Sequence, residues 1–308
     1  MSDRLVLEES LVKEITRIEE EHQWAELTNR LGRTVDAEEL IEHLQQIEGI
    51  DRIQTLTIHF NSSLSDLRVL RALPNLKSLF VYGYQIKTLD GIERFEKGEY
   101  ININTDRNRR RDISLLSQSK VNKVEISVGR MEDLSAVAGC ESLKWMEIYH
   151  SMEPDFAEWK KMNVETVSFK SCKFKELGDI SIVERVNDLS VQGCRNLERF
   201  TGDNSNIQRL LVSGCNKLDL RTLSTFQGVE FLTVNSCKKP MNLTELGELK
   251  HVKRMSFLLC NVEVDLTNLK EYFPSLESIH ISKMKRDYGI QLKRLNPDVD
   301  IASDSFII

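Results

Sequence analysis

The sequence predicts an α/β solenoid, a stack of short coils that each carry one strand. Two observations predict it. An apolar-x-apolar pair returns twelve times between Leu56 and Ile301, with 20 to 24 residues from one pair to the next. A further apolar residue stands three before most pairs, at Ile53, Leu76, Val121, Leu143, Val164, Val186, Ile207, Val229, Val252 and Leu276. Alternation with period two marks one buried face of a strand. A unit of this size cannot bury its apolar face alone, so neighbouring units must stack and share a continuous core.

In chain order the predicted strands centre on Leu56/Ile58, Leu79/Val81, Ile101/Ile103, Val124/Ile126, Met146/Ile148, Val167/Phe169, Leu189/Val191, Leu210/Val212, Leu232/Val234, Met255/Phe257, Ile279/Ile281 and Val299/Ile301. The unit reads L-x-x-L-x-L-x-x-[N/C], with a second apolar cluster later. LPNLKSLFVYGYQIKTLDGI (73–92) and NIQRLLVSGCNKLDL (206–220) show it most fully. The pattern resembles the short, about 22-residue class of the leucine-rich repeat, and the resemblance runs over residues 51–303. It implies a right-handed solenoid with a concave parallel sheet of about twelve short strands and 3₁₀ turns or loops on the convex side.

A solenoid exposes its core at both ends unless it is capped. Residues 1–50 are expected to form an N-terminal helical cap. Leu11, Ile15 and Ile18 recur at helical spacing, Leu27 and Leu31 continue the face, and Gly32 ends that first helix. Asp36 with Glu39 makes a capping box, with Val35 and Leu40 as its staple. Leu40, Ile41, Leu44 and Ile47 give the second helix a buried stripe, closed by Gly49. At the other end, residues 304–308, with Phe306, Ile307 and Ile308, are expected to fold over the last coil.

Cys172, Cys194, Cys215, Cys237 and Cys260 each follow the first member of their pair by five positions, as Asn61 does in the first unit. A residue repeated in phase reads as a structural ladder. The resemblance places it where the strand turns inward and the side chain bonds turn backbone that would otherwise be buried unpaired. None of the six histidines keeps that phase, so no thiol has a phased base. A straight stack of cysteines does not converge on a tetrahedral metal. Cys140 is out of phase and reads as a core or turn cysteine. No cofactor or metal site is expected.

Function is then expected on the residues that flank each pair and face outward. Phe80, Tyr82, Tyr100, Trp145 and Tyr149 fall within four consecutive coils, among Lys123, Glu125, Glu147 and Lys170; Asp188 and Arg209 follow. Clustered aromatics on an exposed face are typical interface anchors. Phe231 stands alone. Arg107, Arg109, Arg110 and Arg111 in TDRNRRRD (105–112) read as a solvated basic loop, with an acidic docking site or phosphate contact as the sharper alternative.

A net charge of −6 argues against a nucleic-acid binder. No apolar run reaches the length of a membrane span or signal peptide, and six cysteines in 308 residues do not make a disulfide scaffold. The expectation is a cytoplasmic, non-enzymatic module, monomeric when unbound, that binds a protein on its concave surface. The irregular repeats and dedicated cap look like those of bacterial stand-alone members. One role open to such a protein is inhibitor or immunity partner of a toxin or enzyme. The alternative is an adaptor or effector in ubiquitin-type or phosphatase signalling.

Overall fold

The computed structural model describes residues 4–33, 35–104, 111–127, 131–152 and 155–307, with backbone alone for 131–134 and 306. The chain divides into two compact units, Met1–Met146 with Lys161–Asn163, and Glu147–Lys160 with Val164–Ile308.

In the first unit, the strands Arg4–Glu8, Trp24–Thr28, Thr55–Ile58, Ser78–Val81, Tyr100–Asn104 and Lys123–Ser127 pair in parallel, in chain order. Their apolar pairs stand in register: Leu56 opposite Leu79, Leu79 opposite Ile101, Ile101 opposite Val124. All are essentially fully buried. Short 3₁₀ segments such as Arg68–Ala72, Ile92–Arg94 and Ser114–Gln118 return the chain from each strand to the next. Most return segments are such turns, but a 22-residue step can also hold an α-helix, as at Met131–Ala138 here and at Arg286–Leu295 in the second unit.

The N-terminal segment differs from the sequence expectation. No α-helix forms over Leu11–Leu31. The segment holds two strands the repeat pattern missed, with a 3₁₀ turn at Glu9–Glu14. Leu5 lies opposite Ala25 and Leu27 opposite Ile58, so the two strands extend the ladder. The helical spacing there was coincidental: Ile18 is buried, but Leu31 is 52% exposed. Buried Glu9 ties this segment down by accepting from Ser62 Oγ at 2.5 Å and the Ser63 N–H at 3.1 Å. The second helix does form, as Ala37–Gln46, with the Asp36 carboxylate accepting from the N–H groups of Glu38 and Glu39. Leu40, Ile41 and Leu44 are its buried stripe.

Arg111 is the second correction. It is no solvated loop residue. Its guanidinium is buried and donates to four carbonyls, those of Ile86 (3.1 Å), Val81 (3.2 Å), Asn104 (3.1 Å) and Gly83 (2.6 Å). Burial lowers its pKa to about 10, which leaves it charged at neutral pH. Arg107, Arg109 and Arg110 lie outside the described residues.

In the second unit, parallel strands run from Thr166–Lys170 through Asp188–Gln192, Arg209–Ser213, Phe231–Asn235, Arg254–Leu258 and Ser278–Ile281 to Asp300–Ser303. The last of these is shifted from the sequence register. Ile301, not Val299, stands opposite Ile279, so the outward residues are Asp300 and Ala302 and not Asp298. Residues Phe306–Ile307 then turn back and pair antiparallel with that strand, and the Ile307 side chain is 82% exposed. Ile308 lies outside the described residues.

The cysteines line the interior of this unit just past the strand ends. Cys194 Sγ lies 3.7 Å from the Phe169 carbonyl and 3.6 Å from that of Gln192. Cys215 repeats the arrangement on Val191 and Ser213, and Cys260 on Val234 and Leu258. Cys172 bonds the Ile148 and Lys170 carbonyls and accepts from Ser151 Oγ at 3.3 Å. Cys237 bonds the Asn235 carbonyl. The residue before each cysteine (Ser171, Gly193, Gly214, Ser236, Leu259) has a positive φ of 53–65°. That left-handed residue turns the chain inward at the end of each strand. At Ser171, Gly193, Gly214 and Ser236 it also aims its own N–H at the next strand's last carbonyl, as Gly193 does to Ser213 at 2.7 Å. In the first unit, Asn61 Oδ1 accepts from Thr28 Oγ1 and the Asn29 N–H, and Cys140 bonds the Leu116 carbonyl.

Candidate surface for protein binding

The outward set divides between the two units. Phe80, Tyr82, Tyr100, Lys123, Glu125 and Trp145 belong to the first; Glu147, Tyr149, Lys170, Asp188 and Arg209 belong to the second.

The strand register of the first unit brings its set together. Phe80 lies 5.3 Å from Tyr100 in an edge-to-face pair and 6.2 Å from Tyr82. Lys123 Nζ sits over two rings, 5.2 Å from Tyr100 and 4.1 Å from Trp145. Glu125 accepts from Asn102 Nδ2 at 2.7 Å, and Asn102 also reaches the Tyr100 hydroxyl at 3.3 Å. All six side chains are half-buried, as expected where rings lean on one another along a pleated surface. Burial, reinforced by the Glu125 charge, raises the Tyr100 phenol well above its ordinary pKa. Tyr82 is raised by the same two causes. Both phenols therefore stay protonated at neutral pH and offer O–H donors.

The structure adds Trp24 to this row. It stacks on Phe80 at 6.1 Å, carries Arg4 over its ring at 5.1 Å, and donates to Thr57 Oγ1 at 3.0 Å. Sequence reading missed it because its strand sits outside the regular spacing. Beside it, the buried Glu26 carboxylate is ringed by Arg4, by Arg30 at 3.7 Å and by His59 at 3.8 Å. The row along the face thus runs Arg4, Trp24, Phe80, Tyr100, Lys123, Trp145: three rings in contact with a cation at each end, and a fourth ring beyond Lys123.

In the second unit, Glu147 is only 5% exposed although its position faces outward. Lys170 Nζ covers it at 2.7 Å, and the Tyr149 hydroxyl donates to the same oxygen. Lys170 also lies 5.7 Å from the Tyr149 ring centre. Asp188 and Arg209 hold the same position on adjacent strands. Burial raises the Asp188 carboxyl against the pull of Arg209. These contacts can place donors, cations and ring faces before a partner surface.

No protein-family model matches the sequence, and no curated protein matches it. Solved structures do. The chain is similar to TLR13 in its complex with ssRNA13, with a TM-score of 0.60 at 12% identity over 97% of this chain and 50% of that one. It is also similar to an internalin from Listeria monocytogenes, at 0.51 and 13% over 97% and 89%. Drosophila Toll in its complex with Spatzle gives 0.54 and 10% over 98% and 44%. The chain spans half the length of the TLR13 chain it matches. At these identities the likeness is one of fold. All three are leucine-rich-repeat proteins, and this chain has their fold.

Proposed function

We propose that this leucine-rich-repeat chain is a non-enzymatic interaction module, and that a folded protein docks on the strand face of its first unit. The observation that carries the reading is the continuous row of Trp24, Phe80, Tyr100 and Trp145 with Arg4 and Lys123 over the rings. Aromatic and cationic side chains already fixed by one another lose little entropy on binding, which is the property of interface anchors. The Toll structure, a complex with Spatzle, supports the general role. The specific role we propose for it, by analogy with bacterial stand-alone members, is inhibitor or immunity partner of a toxin or enzyme. A cytoplasmic setting suits six cysteines that are all free thiols.

The test is capture from a lysate of the source cells by the wild-type chain and by Tyr82→Ala and Trp145→Ala variants of unchanged melting temperature. The reading expects a partner bound at least tenfold more weakly by Trp145→Ala. It expects that partner's activity to fall on saturation with wild type. Equal binding by all three chains would sink the site, and a captured but uninhibited partner would sink the inhibitor role.

A further inference from the structure

The second unit carries a cluster that the proposed surface does not use. Arg209, Phe231 and Arg254 hold one register position on three adjacent strands. Both guanidinium groups lie over the Phe231 ring, 5.6 and 5.8 Å from its centre. Such stacking keeps each planar fork in place while its N–H donors remain free for a carboxylate. Both arginines are exposed, and among the described residues neither is in an ion pair. The acids around them are mostly engaged elsewhere: Glu230 with Lys253 at 2.7 Å, Asp300 with Lys293 at 3.7 Å, Asp304 with His280 at 3.1 Å. Asp188 is half-buried beside Arg209.

An apolar recess adjoins the pair. A cavity of about 430 Å³ is lined by Phe231, Ser256, His280, Ala302 and Ile307, among others. Ile307 stands directly opposite Ala302 in the antiparallel tail, so it shares the outward face and leaves a large apolar side chain 82% exposed there. Two unpaired cations beside an exposed apolar wall have a defined complement. Neighbouring strands lie about 4.8 Å apart, which sets the arginines about 10 Å apart, the reach of roughly three residues of extended peptide. A nucleic acid would place charge every few ångströms against a chain whose net charge is −6. A short peptide with two carboxylates meets both features with far fewer negative charges to repel.

We propose that the strand face of the second unit is a separate docking site for an acidic segment of a partner protein. Arg209 and Arg254 each take a carboxylate, and an apolar side chain between those carboxylates enters the recess by Phe231 and Ile307. The site does not rest on the aromatic row of the first unit.

An array of octapeptides tests it. Each carries two Asp or Glu residues spaced two to four apart around one Leu or Phe, and each is printed beside its Asn or Gln counterpart. The full chain is applied as wild type, Arg209→Gln, Arg254→Gln, the double variant and Tyr82→Ala/Trp145→Ala, all checked for unchanged melting temperature. The expected result is retention of acidic peptides over their amide counterparts. Each single arginine variant should lose about tenfold in affinity. Retention should weaken at 0.5 M salt and be unchanged in the Tyr82/Trp145 variant. No preference for the acidic peptides, or a preference that survives the double arginine variant, overturns the proposal. So does loss in the Tyr82/Trp145 variant, or binding of a 20-nucleotide single-stranded DNA in place of the peptides.

Discussion

Lys170 Nζ lies 2.7 Å from Glu147 Oε1, and the carboxylate it covers is almost wholly removed from solvent. A buried charge that loses its partner costs more than the pair contributes. Lys170→Met should therefore destabilise the chain by about 2 kcal/mol, the full buried-pair cost being reduced because the lysine is itself part-exposed. Glu147→Gln/Lys170→Met should recover more than half of that loss. Urea denaturation of the four chains of this cycle measures it. Simple additivity of the single changes would remove the coupling.

Arg111 satisfies four carbonyls in the first unit. Arg111→Met fills similar space but leaves those acceptors unpaired, so a loss of about 3–5 kcal/mol is expected. Arg111→Lys, with one point charge in place of a fork, should lie between the two. A melting temperature for Arg111→Met within 2 °C of wild type would contradict the buried role.

Left-handed turns at different places in the coil separate conformational strain from steric clash. Gly193→Ala meets nothing closer than 3.5 Å, so only its φ of +63° opposes it, and a cost of about 1 kcal/mol is expected. At Gly91, with φ of +100°, an added Cβ would lie 2.5 Å from the Leu67 carbonyl carbon, and Gly91→Ala should cost at least about twice as much. Leu259, already left-handed with its side chain exposed, should become more stable by a few tenths of a kcal/mol as Leu259→Gly. Equilibrium unfolding ranks the three, and an inverted order of the two glycines would refute the distinction.

Among the ladder thiols, Cys260 is part-exposed and borders a cavity of about 550 Å³. A hydrogen bond from Cys237 favours its thiolate and lowers its pKa to about 7. Burial pushes Cys140 up to about 12. The thiolate is the nucleophile, so alkylation should begin at Cys260, with a rate that rises through pH 7. Iodoacetamide labelling followed by peptide mass spectrometry at pH 6 to 9 tests this. Equal labelling of Cys260 and Cys140 in the native chain would be evidence against it.

What the sequence makes legible is whatever repeats. The pairs from Leu56/Ile58 to Ile279/Ile281 were readable because every coil buries the same two positions against its neighbours. Trp24 was not, because 31 positions separate Ala25 from its partner Leu56 and the Ala37–Gln46 helix fills the gap. Arg111 looked like part of a charge run; only the carbonyls that converge on it reveal its place, three from the turn at 81–86 of the preceding coil and one from Asn104. Apart from Trp24, the aromatic row was legible as a set of positions. Its contacts required the register, which sets which side chains stand opposite one another.

That long step between Ala25 and Leu56 also says where this molecule tolerates change. A coil can gain a helix on its return path while its strand keeps the same partners, so path length and displayed side chains vary independently. Insertions placed on return segments should leave the strand-borne rows untouched, which makes those segments the natural sites for a purification tag or a fluorescent reporter.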